Sequence, residues 1–311
     1  MSIEAPALPR RRAGWSWSTV GAYVALTKPR IIELLLVTTL PTMVVAQRGV
    51  PPVWLMAATL VGGALAAGGA NAINMVVDRD IDRLMNRTKN RPLVTGAMTP
   101  AAALAFALTL EAAAFVELWL AVNLLSAVLA LSATFFYVFV YTLWLKRRSS
   151  QNIVIGGAAG AVPVLVGWAA VTDSLSWAPV VMFAIIFIWT PPHFWSLAVR
   201  YKEDYEAADV PMLPVVASMK RTTTEIVYYT VALVAVTFLL GPVAHLGWIY
   251  MITAAVLGAG FLYLVTRLWG LAQNGRVTGR DAMRVFGYSI TYLTVLFVAM
   301  AGDVLISTHV H

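Results

Sequence analysis

Long apolar segments, separated by short charged loops, constrain this chain more than any other feature. The chain is 60% hydrophobic and only 12% charged over 311 residues, unlike a soluble globular domain. The sequence therefore predicts an all-α integral membrane protein with nine transmembrane helices, because nine windows come close to the length of a membrane span. The windows are 31–47, 53–76, 101–119, 124–144, 153–171, 177–198, 226–244, 247–266 and 286–306.

Basic residues fall almost entirely on one side of such a bundle. With nine helices, only Arg48 of the 22 lysines and arginines lies in a loop on the other side. Cytoplasmic loops of membrane proteins are enriched in Lys and Arg, so the basic side and the N-terminus are predicted to be cytoplasmic. The net charge of +7 is then explained without nucleic acid as a partner.

The same pattern predicts how the chain is divided. Residues 1–30 are expected to form a cytoplasmic N-terminal segment, 31–306 a single membrane domain, and 307–311, with its two histidines, a short tail. Arginines at 10–12 precede an apolar patch, but the charged stretch 28–30 interrupts it, so no cleaved signal peptide is expected. The chain has no cysteine, which excludes disulfides, iron–sulfur clusters and thiol catalysis.

Three oxygen-bearing side chains stand where the second window ends. Asn74, Asp78 and Asp82 are spaced four apart, so on a helix each lies only about 40° round from the last. Two carboxylates and an amide on one face suit a hard divalent cation such as Mg²⁺. Asp80 points away from this face. The alternative is a solvated mixture of charges that anchors the end of the helix.

Two basic runs lie on the same side of the membrane as this motif. One follows the motif directly, and the other follows the fourth window. They are Arg83, Arg87, Lys89 and Arg91, and then Lys146, Arg147 and Arg148. Guanidinium groups match the geometry of phosphate oxygens. Metal ligands next to cations predict a diphosphate site, although three consecutive cations also serve as topology anchors.

The sixth window contains Pro191 and Pro192, followed by His193. Paired prolines predict a kink or break, and irregular backbone at membrane depth usually lines a cavity. His193 is therefore a candidate for substrate contact, with a hydrogen-bonded core histidine as the alternative. In the next loop, Glu203 and Asp204 are candidates for a second cation-binding face, with solvated loop charge as the alternative.

At these residues the chain resembles the UbiA superfamily of intramembrane prenyltransferases, whose first signature, Asn-x-x-x-Asp-x-x-x-Asp, matches Asn74, Asp78 and Asp82. Within the superfamily it resembles the protoheme IX farnesyltransferases, or haem O synthases. That narrower resemblance runs through 26–31, 78–93, 141–161 and 189–215. Tyr201 and Tyr205 stand where the second acidic motif is expected, and Asp209 stands where glycine is expected.

The resemblance implies nine helices around a central, lipid-open cavity in the bacterial cytoplasmic (inner) membrane, with the active site on the cytoplasmic side. It implies transfer of a farnesyl group from farnesyl diphosphate to the vinyl group of haem B, with water addition, giving haem O. The implied cofactor is Mg²⁺, and haem A synthase or a terminal oxidase assembly is an expected partner.

The resemblance also implies roles for the residues singled out above. The implied metal ligands are Asn74, Asp78, Asp82 and Asp204; the substrate-binding residues are Arg87, Arg91, Lys146, Arg147, Arg148 and His193; the catalytic residues are Asp78, Asp82, Lys146 and His193. For His193, ligation of the haem iron and positioning of the captured water remain alternatives.

Two other functions are compatible with the sequence. One is another UbiA-type prenyltransferase that acts on an aromatic or quinone-precursor acceptor. The other is a secondary transporter, although transporters carry their key charges near the middle of the bilayer, whereas the acids here stand at the ends of the windows.

Overall fold

The computed structural model describes residues 18–308, without the side chains of residues 30–36 and 308. The basic run at 10–12 and the terminal histidines lie outside this range. The elements are α1 (Thr19–Thr27), α2 (Pro29–Gln47), α3 (Val53–Val77), α4 (Arg79–Asp82), α5 (Pro92–Thr95), α6 (Pro100–Ala121), α7 (Leu124–Phe135) with a π-helix (Phe136–Leu145), α8 (Asn152–Thr172), α9 (Trp177–Arg200), α10 (Lys202–Ala207), α11 (Leu213–Val216), α12 (Met219–Val243), α13 (Trp248–Gln273) and α14 (Gly279–Thr308).

Eight helical segments of the described chain are long and apolar enough to cross a membrane. They are α3, α6, α7 with its π-helix, α8, α9, α12, α13 and α14. The first predicted window coincides with α2, a helix of 19 residues. The all-α, multi-pass architecture is therefore confirmed, with eight such spans, one fewer than predicted, and α2 at the remaining position.

The helices pack in two groups that share α8. In one, α3 packs along α6, and α7 packs along α8. In the other, buried apolar side chains of α8, α9, α12, α13 and α14 form the largest core. Many large apolar side chains remain exposed on the outside, among them Trp54, Phe139 and Trp248. Such an outer surface fits a lipid environment.

Glycines allow α3 to approach α6 closely. A Cβ added at Gly69 would lie 2.6 Å from Glu111 Oε1 and 3.0 Å from the carbonyl oxygen of Ala107. The buried Glu111 carboxylate also accepts a hydrogen bond from Thr134 Oγ1 at 3.2 Å. Small residues at a helix interface in a membrane permit such packing, and the polar contact gives this intramembrane acid a partner.

A helix break at the paired prolines is not found. α9 continues from Trp177 to Arg200 with Pro191 and Pro192 inside it. Packing of α9 against α8, α12 and α14 holds both halves in place. Contacts with neighbouring helices therefore outweigh the loss of two backbone donors.

Residues 136–145 form a π-helix, which the sequence analysis did not anticipate. Its wider turn is seen where Lys146 N donates to Tyr141 O at 2.8 Å, and where Thr142 Oγ1 donates to Tyr137 O at 2.8 Å. π-Helical turns are rare and occur frequently at functional sites. This one directs Thr142 and Lys146 toward the end of α3.

The helix ends opposite the basic loops are joined by a buried acid. Asp303 of α14 is 2% exposed, and its carboxylate accepts hydrogen bonds from the backbone N–H groups of Gly247 and Tyr250, at the start of α13. Arg48 donates to Ala244 O at 2.7 Å across the same end. Asp303 thus acts as an N-cap supplied by a neighbouring helix, which satisfies donors that α13 leaves free.

Candidate active site

The oxygen-bearing motif lies at the junction of α3 and α4 and is almost fully buried. Asn74, Asp78 and Asp82 are 3%, 0% and 2% exposed. The chain stays helical across the junction, because Asp78 N donates to Asn74 O and Asp82 N donates to Asp78 O, both at 2.9 Å. The spacing of four therefore keeps the three side chains on one face, and this burial argues against a solvated helix end.

Asp78 is the centre of this cluster. Lys146, at the end of the π-helix, donates to Asp78 Oδ2, and Asn74 Nδ2 donates to the same oxygen at 2.7 Å. Arg147 lies 3.9 Å from Asp78 Oδ1. That oxygen is buried and has no hydrogen-bond donor among the described residues.

Asp82 and its neighbours extend the cluster. Arg91 is paired with Asp82 Oδ2 at 2.6 Å. Thr88 Oγ1 donates to the backbone oxygen of Asp82 at 2.9 Å, which folds the loop after α4 back onto the motif. The acids of the motif therefore contact cations of both basic runs in a single site, as the sequence predicted.

Lys28 completes the cluster from a third direction and was not among the predicted site residues. It stands between α1 and α2 with φ = 52°, and its Nζ donates to Asn74 Oδ1 at 3.0 Å. Removal of the ammonium from water, reinforced by the nearby cations Arg91 and Lys146, lowers the pKa of Lys28 to about 7. In the sequence, Lys28 stands within the stretch 26–31 that carries the family resemblance, but its spacing gave no sign of a contact with Asn74.

Thr142 is a second residue that sequence reasoning missed. It is fully buried in the π-helix, and its hydroxyl accepts a hydrogen bond from Asn74 Nδ2 at 3.2 Å. Because the other hydrogen bonds of this amide reach Lys28 and Asp78, the orientation of Asn74 is fixed from three sides.

Asp80 lies on the outer side of the junction. Its carboxylate is 61% exposed and binds Arg147 through two hydrogen bonds of 2.6 and 2.7 Å. These hydrogen bonds lower the pKa of Asp80 to about 2 and raise the pKa of the Arg147 guanidinium. Both groups line a cleft of about 550 Å³, together with Arg79 and Arg83 among others.

The predicted fourth metal ligand, Asp204, lies apart from the other three. Its Oδ1 accepts from the backbone and side-chain nitrogens of Asn86, both at 3.3 Å, and its Oδ2 accepts from Arg87 N at 3.2 Å. Among the described side chains, 18–29 and 37–307, no group of three or more His, Cys, Asp or Glu is placed to share an ion. Asp204 therefore ties α10 to the loop after α4, and ligation would require this contact to open.

The two tyrosines that replace the expected aspartates contact a cation instead. The Arg87 guanidinium lies 5.7 Å from the ring centre of Tyr201 and 5.9 Å from that of Tyr205. It also donates to the Tyr205 hydroxyl at 3.3 Å. Cation–π contacts and this hydrogen bond join Arg87, in the loop after α4, to Tyr201 at the end of α9 and to Tyr205 of α10.

His193 lies between α9 and α14, and none of its polar or ring contacts within the described chain is with the Asp78 cluster. Its ring stacks on Trp189 at 4.1 Å and on Phe286 at 4.5 Å, and its Nδ1 lies 2.7 Å from Ser289 Oγ. Arg148 is exposed beside Arg147. The proposed roles of both residues remain predictions.

The chemistry of the cluster fits a divalent cation. Asp78 carries a buried oxygen without a hydrogen bond, and Asn74 and Asp82 add further hard oxygens on the same helical face. Lys28, Arg91 and Lys146 contact the other oxygens. The carboxylates of such a site can bind a metal ion, and the neighbouring cations can bind an anionic phosphate group.

Comparisons with known proteins identify relatives of this chain. Residues 35–290 match the model of the UbiA prenyltransferase family. The protoheme IX farnesyltransferase of Pseudarthrobacter chlorophenolicus is 55% identical over 282 residues, which is 91% of this chain and 88% of that protein. That of Paenarthrobacter aurescens is 56% identical over the same shares.

Solved structures share the fold at low sequence identity. A structure of digeranylgeranylglyceryl phosphate synthase has a TM-score of 0.75 at 16% identity, covering 93% of this chain and 99% of that one. A UbiA homologue from Archaeoglobus fulgidus, bound to GPP and Mg²⁺, has a TM-score of 0.60 at 18% identity, covering 90% and 99%. From its sequence, its fold and its buried acidic motif, the chain belongs to the UbiA prenyltransferase family.

Proposed function

We propose that this protein transfers the farnesyl group of farnesyl diphosphate to the vinyl group of haem B, with addition of water, to give haem O. The observation that carries the proposal is the buried cluster of Asn74, Asp78 and Asp82 enclosed by cations. Identity above 50% with proteins named protoheme IX farnesyltransferase supports the choice of both substrates.

The diphosphate is bound where acids and cations meet. Asn74, Asp78 and Asp82 would hold Mg²⁺, which supplies positive charge to the leaving group when it is bound. Lys146, Arg91 and Arg147 lie against the same carboxylates and would neutralise the remaining phosphate oxygens. Arg87 and Arg148 extend this positive surface along the two loops.

The reaction follows from stabilising the leaving group. The allylic carbon–oxygen bond breaks, and its electron pair leaves with the diphosphate. The vinyl group of haem B forms a bond to the farnesyl carbon, and water captures the resulting cation on the porphyrin side chain and loses a proton. Burial of the cluster keeps bulk water from the first cation, which would otherwise give farnesol.

The acceptor carries its own anionic groups. Haem propionates are carboxylates, and the cleft beside Asp80 presents the guanidinium groups of Arg79, Arg83 and Arg147. We place the propionates at this cleft and the porphyrin ring toward the lipid-facing helices. His193 contributes from α9, as an iron ligand or by orienting the captured water.

We also place the site at the cytoplasmic side of a bacterial inner membrane, where farnesyl diphosphate, a soluble anion, is available. The accumulation of Lys and Arg at this end supports that orientation. The product remains in the bilayer, so haem A synthase or a terminal oxidase assembly is the proposed recipient.

Purified protein in detergent, incubated with haem B and labelled farnesyl diphosphate, tests the proposal directly. We expect haem O by mass spectrometry, its loss on chelation of divalent cations, and its return with Mg²⁺. An Asp78→Ala variant is expected to lose at least about 100-fold in kcat, because a buried charged contact to the leaving-group site is removed.

Glu206→Ala is the matched control, because it removes an exposed acid at the same end of the bundle and should keep its activity. Near-normal haem O formation by Asp78→Ala would refute the metal assignment. Farnesylation of an aromatic or quinone-precursor acceptor in place of haem B would refute the acceptor, and substrate counterflow in liposomes without any product would indicate a transporter.

A further inference from the structure

His193 is held on three sides by groups that the proposed reaction has not used. One face of the imidazole stacks on Trp189 with centroids 4.1 Å apart, and Phe286 stacks at 4.5 Å. Phe194 meets the ring edge-on at 5.4 Å. Ser289 Oγ of α14 lies 2.7 Å from Nδ1, and no described residue makes a hydrogen bond to Nε2. The Nε2 edge is therefore the part of the ring left for a ligand.

The hydroxyl of Ser289 decides which ring nitrogen carries the proton. Its oxygen lies 2.6 Å from the backbone oxygen of Phe286 and 2.7 Å from His193 Nδ1. A hydroxyl has a single hydrogen, and the carbonyl oxygen can only accept. If the hydroxyl donated to Nδ1, two oxygens would face each other at 2.6 Å without a hydrogen between them.

Only one arrangement places a hydrogen in each contact. Ser289 donates to the Phe286 carbonyl, and His193 donates from Nδ1 to Ser289 Oγ. In the neutral ring this leaves a lone pair on Nε2. Metal-ligating histidines commonly donate their other ring N–H in this way, which fixes both the tautomer and the direction of the free nitrogen.

We propose that Ser289 is a positioning residue that locks His193 in its Nδ1–H tautomer and so presents the Nε2 lone pair to the iron-porphyrin acceptor. The identity of the acceptor rests on the proposed function, whereas the lock does not. The backbone of Ser289 has a separate duty, because its carbonyl accepts from Trp189 Nε1 at 2.8 Å. Replacing the side chain therefore removes the lock and leaves this link between α9 and α14.

Nitrogen NMR of protein labelled in its histidines reads the tautomer without any substrate. The chain has four histidines, and a His193→Asn variant identifies the signals of His193. We expect the wild-type resting protein to show a protonated Nδ1 and an unprotonated Nε2. We expect Ser289→Ala to show a mixture of both tautomers, and Ser289→Thr, which keeps the hydroxyl, to restore the wild-type pattern.

Turnover provides the second measurement. Loss of one positioning hydrogen bond should lower the kcat of Ser289→Ala about tenfold and leave the KM for farnesyl diphosphate unchanged, with recovery in Ser289→Thr. Ser196→Ala is the control, since Ser196 is a buried serine of α9 whose hydroxyl donates to the Pro192 carbonyl and, among the described residues, to no other.

Opposite results overturn the lock. A protonated Nε2 in the wild-type protein would contradict it, and so would an unchanged tautomer in Ser289→Ala. Equal losses of kcat in Ser289→Ala and Ser196→Ala would indicate a merely structural role. If the protein did not farnesylate haem at all, the proposed function would fail while the NMR result still decided the tautomer.

Discussion

At the scale of single residues, most polar side-chain atoms of Asn74, Asp78 and Asp82 already have a hydrogen-bond or ion-pair partner. Asn74 is bonded to Lys28, Asp78 and Thr142, and Asp78 Oδ1 is buried without a hydrogen bond from any described residue. A buried charge without full compensation is costly, so such an atom is usually reserved for a ligand. Charge at this site is therefore balanced by neighbours on three different segments.

Replacing Lys28 by methionine tests that balance. The change keeps the length of the side chain but removes the charge that holds Asn74 Oδ1 and adds to the positive potential of the site. Charge-assisted hydrogen bonds contribute about 1.5–3 kcal/mol, so kcat/KM should fall about 10- to 100-fold in steady-state assays. Lys89→Met is the control, because Lys89 bonds Asn86 at the surface. Similar activities of both variants would show that Lys28 has no special role.

Residue spacing predicted part of this cluster and missed the rest for a definite reason. Asn74, Asp78 and Asp82 share a face because helical periodicity is local. Lys28 and Thr142 join them only through contacts between distant segments, which a single sequence does not encode in its periodicity. Ser289 carried no signal at all, because an isolated serine in an apolar helix resembles any other.

At the scale of elements, the structure assigns a use to the second acidic stretch. Asp204 accepts three hydrogen bonds from the loop after α4, and its role as a metal ligand stays a prediction. α10 and this loop therefore form one unit over the site, with Arg87 held between Tyr201 and Tyr205. The sequence indicated polar residues here but not their partners.

An Asp204→Ala variant distinguishes a tether from a metal ligand. Without Mg²⁺, we expect hydrogen exchange at the amides of Asn86 and Arg87 to accelerate about 10- to 100-fold, since lost bonds to a buried carboxylate cost about 1–3 kcal/mol. Mass spectrometry of peptides spanning 83–91 measures this change, and Glu203→Ala, at an exposed neighbour, should have no effect. Unchanged exchange combined with weaker Mg²⁺ binding would restore Asp204 as a ligand.

At the scale of the whole molecule, the positions of the membrane spans were predictable. Hydropathy is averaged over a window of many residues, and the charge bias is counted over all loops, so single exceptions have little effect. The position of the π-helix was not predictable, since an apolar stretch carries no local signal that separates π from α winding. The continuity of α9 was not predictable either. Pro191 and Pro192 remove two backbone hydrogen-bond donors locally, whereas packing against three neighbouring helices keeps the helix continuous.

Orientation in the membrane can be measured because the chain has no cysteine. Single cysteines at Ser174, between α8 and α9, and at Asn274, between α13 and α14, lie exposed at opposite ends of the bundle. With a cytoplasmic N-terminus, a membrane-impermeant maleimide should label Ser174→Cys in intact spheroplasts and Asn274→Cys only after lysis. The reverse pattern would invert the topology and move the site to the outer face.

The π-helix before Lys146 has a consequence for comparing this protein with its relatives. A helix with an additional residue per turn tolerates the deletion of that residue, since the segment can return to ordinary α winding and still cross the bilayer. The side chains that follow would then keep their direction, because one π-helical turn holds about one residue more than one α-helical turn, and the ammonium at the position of Lys146 would still face Asp78. A one-residue gap at 136–145 in an otherwise well-aligned sequence would therefore mark a chain that has lost the π-helix but keeps both the architecture and the ammonium at its phosphate site.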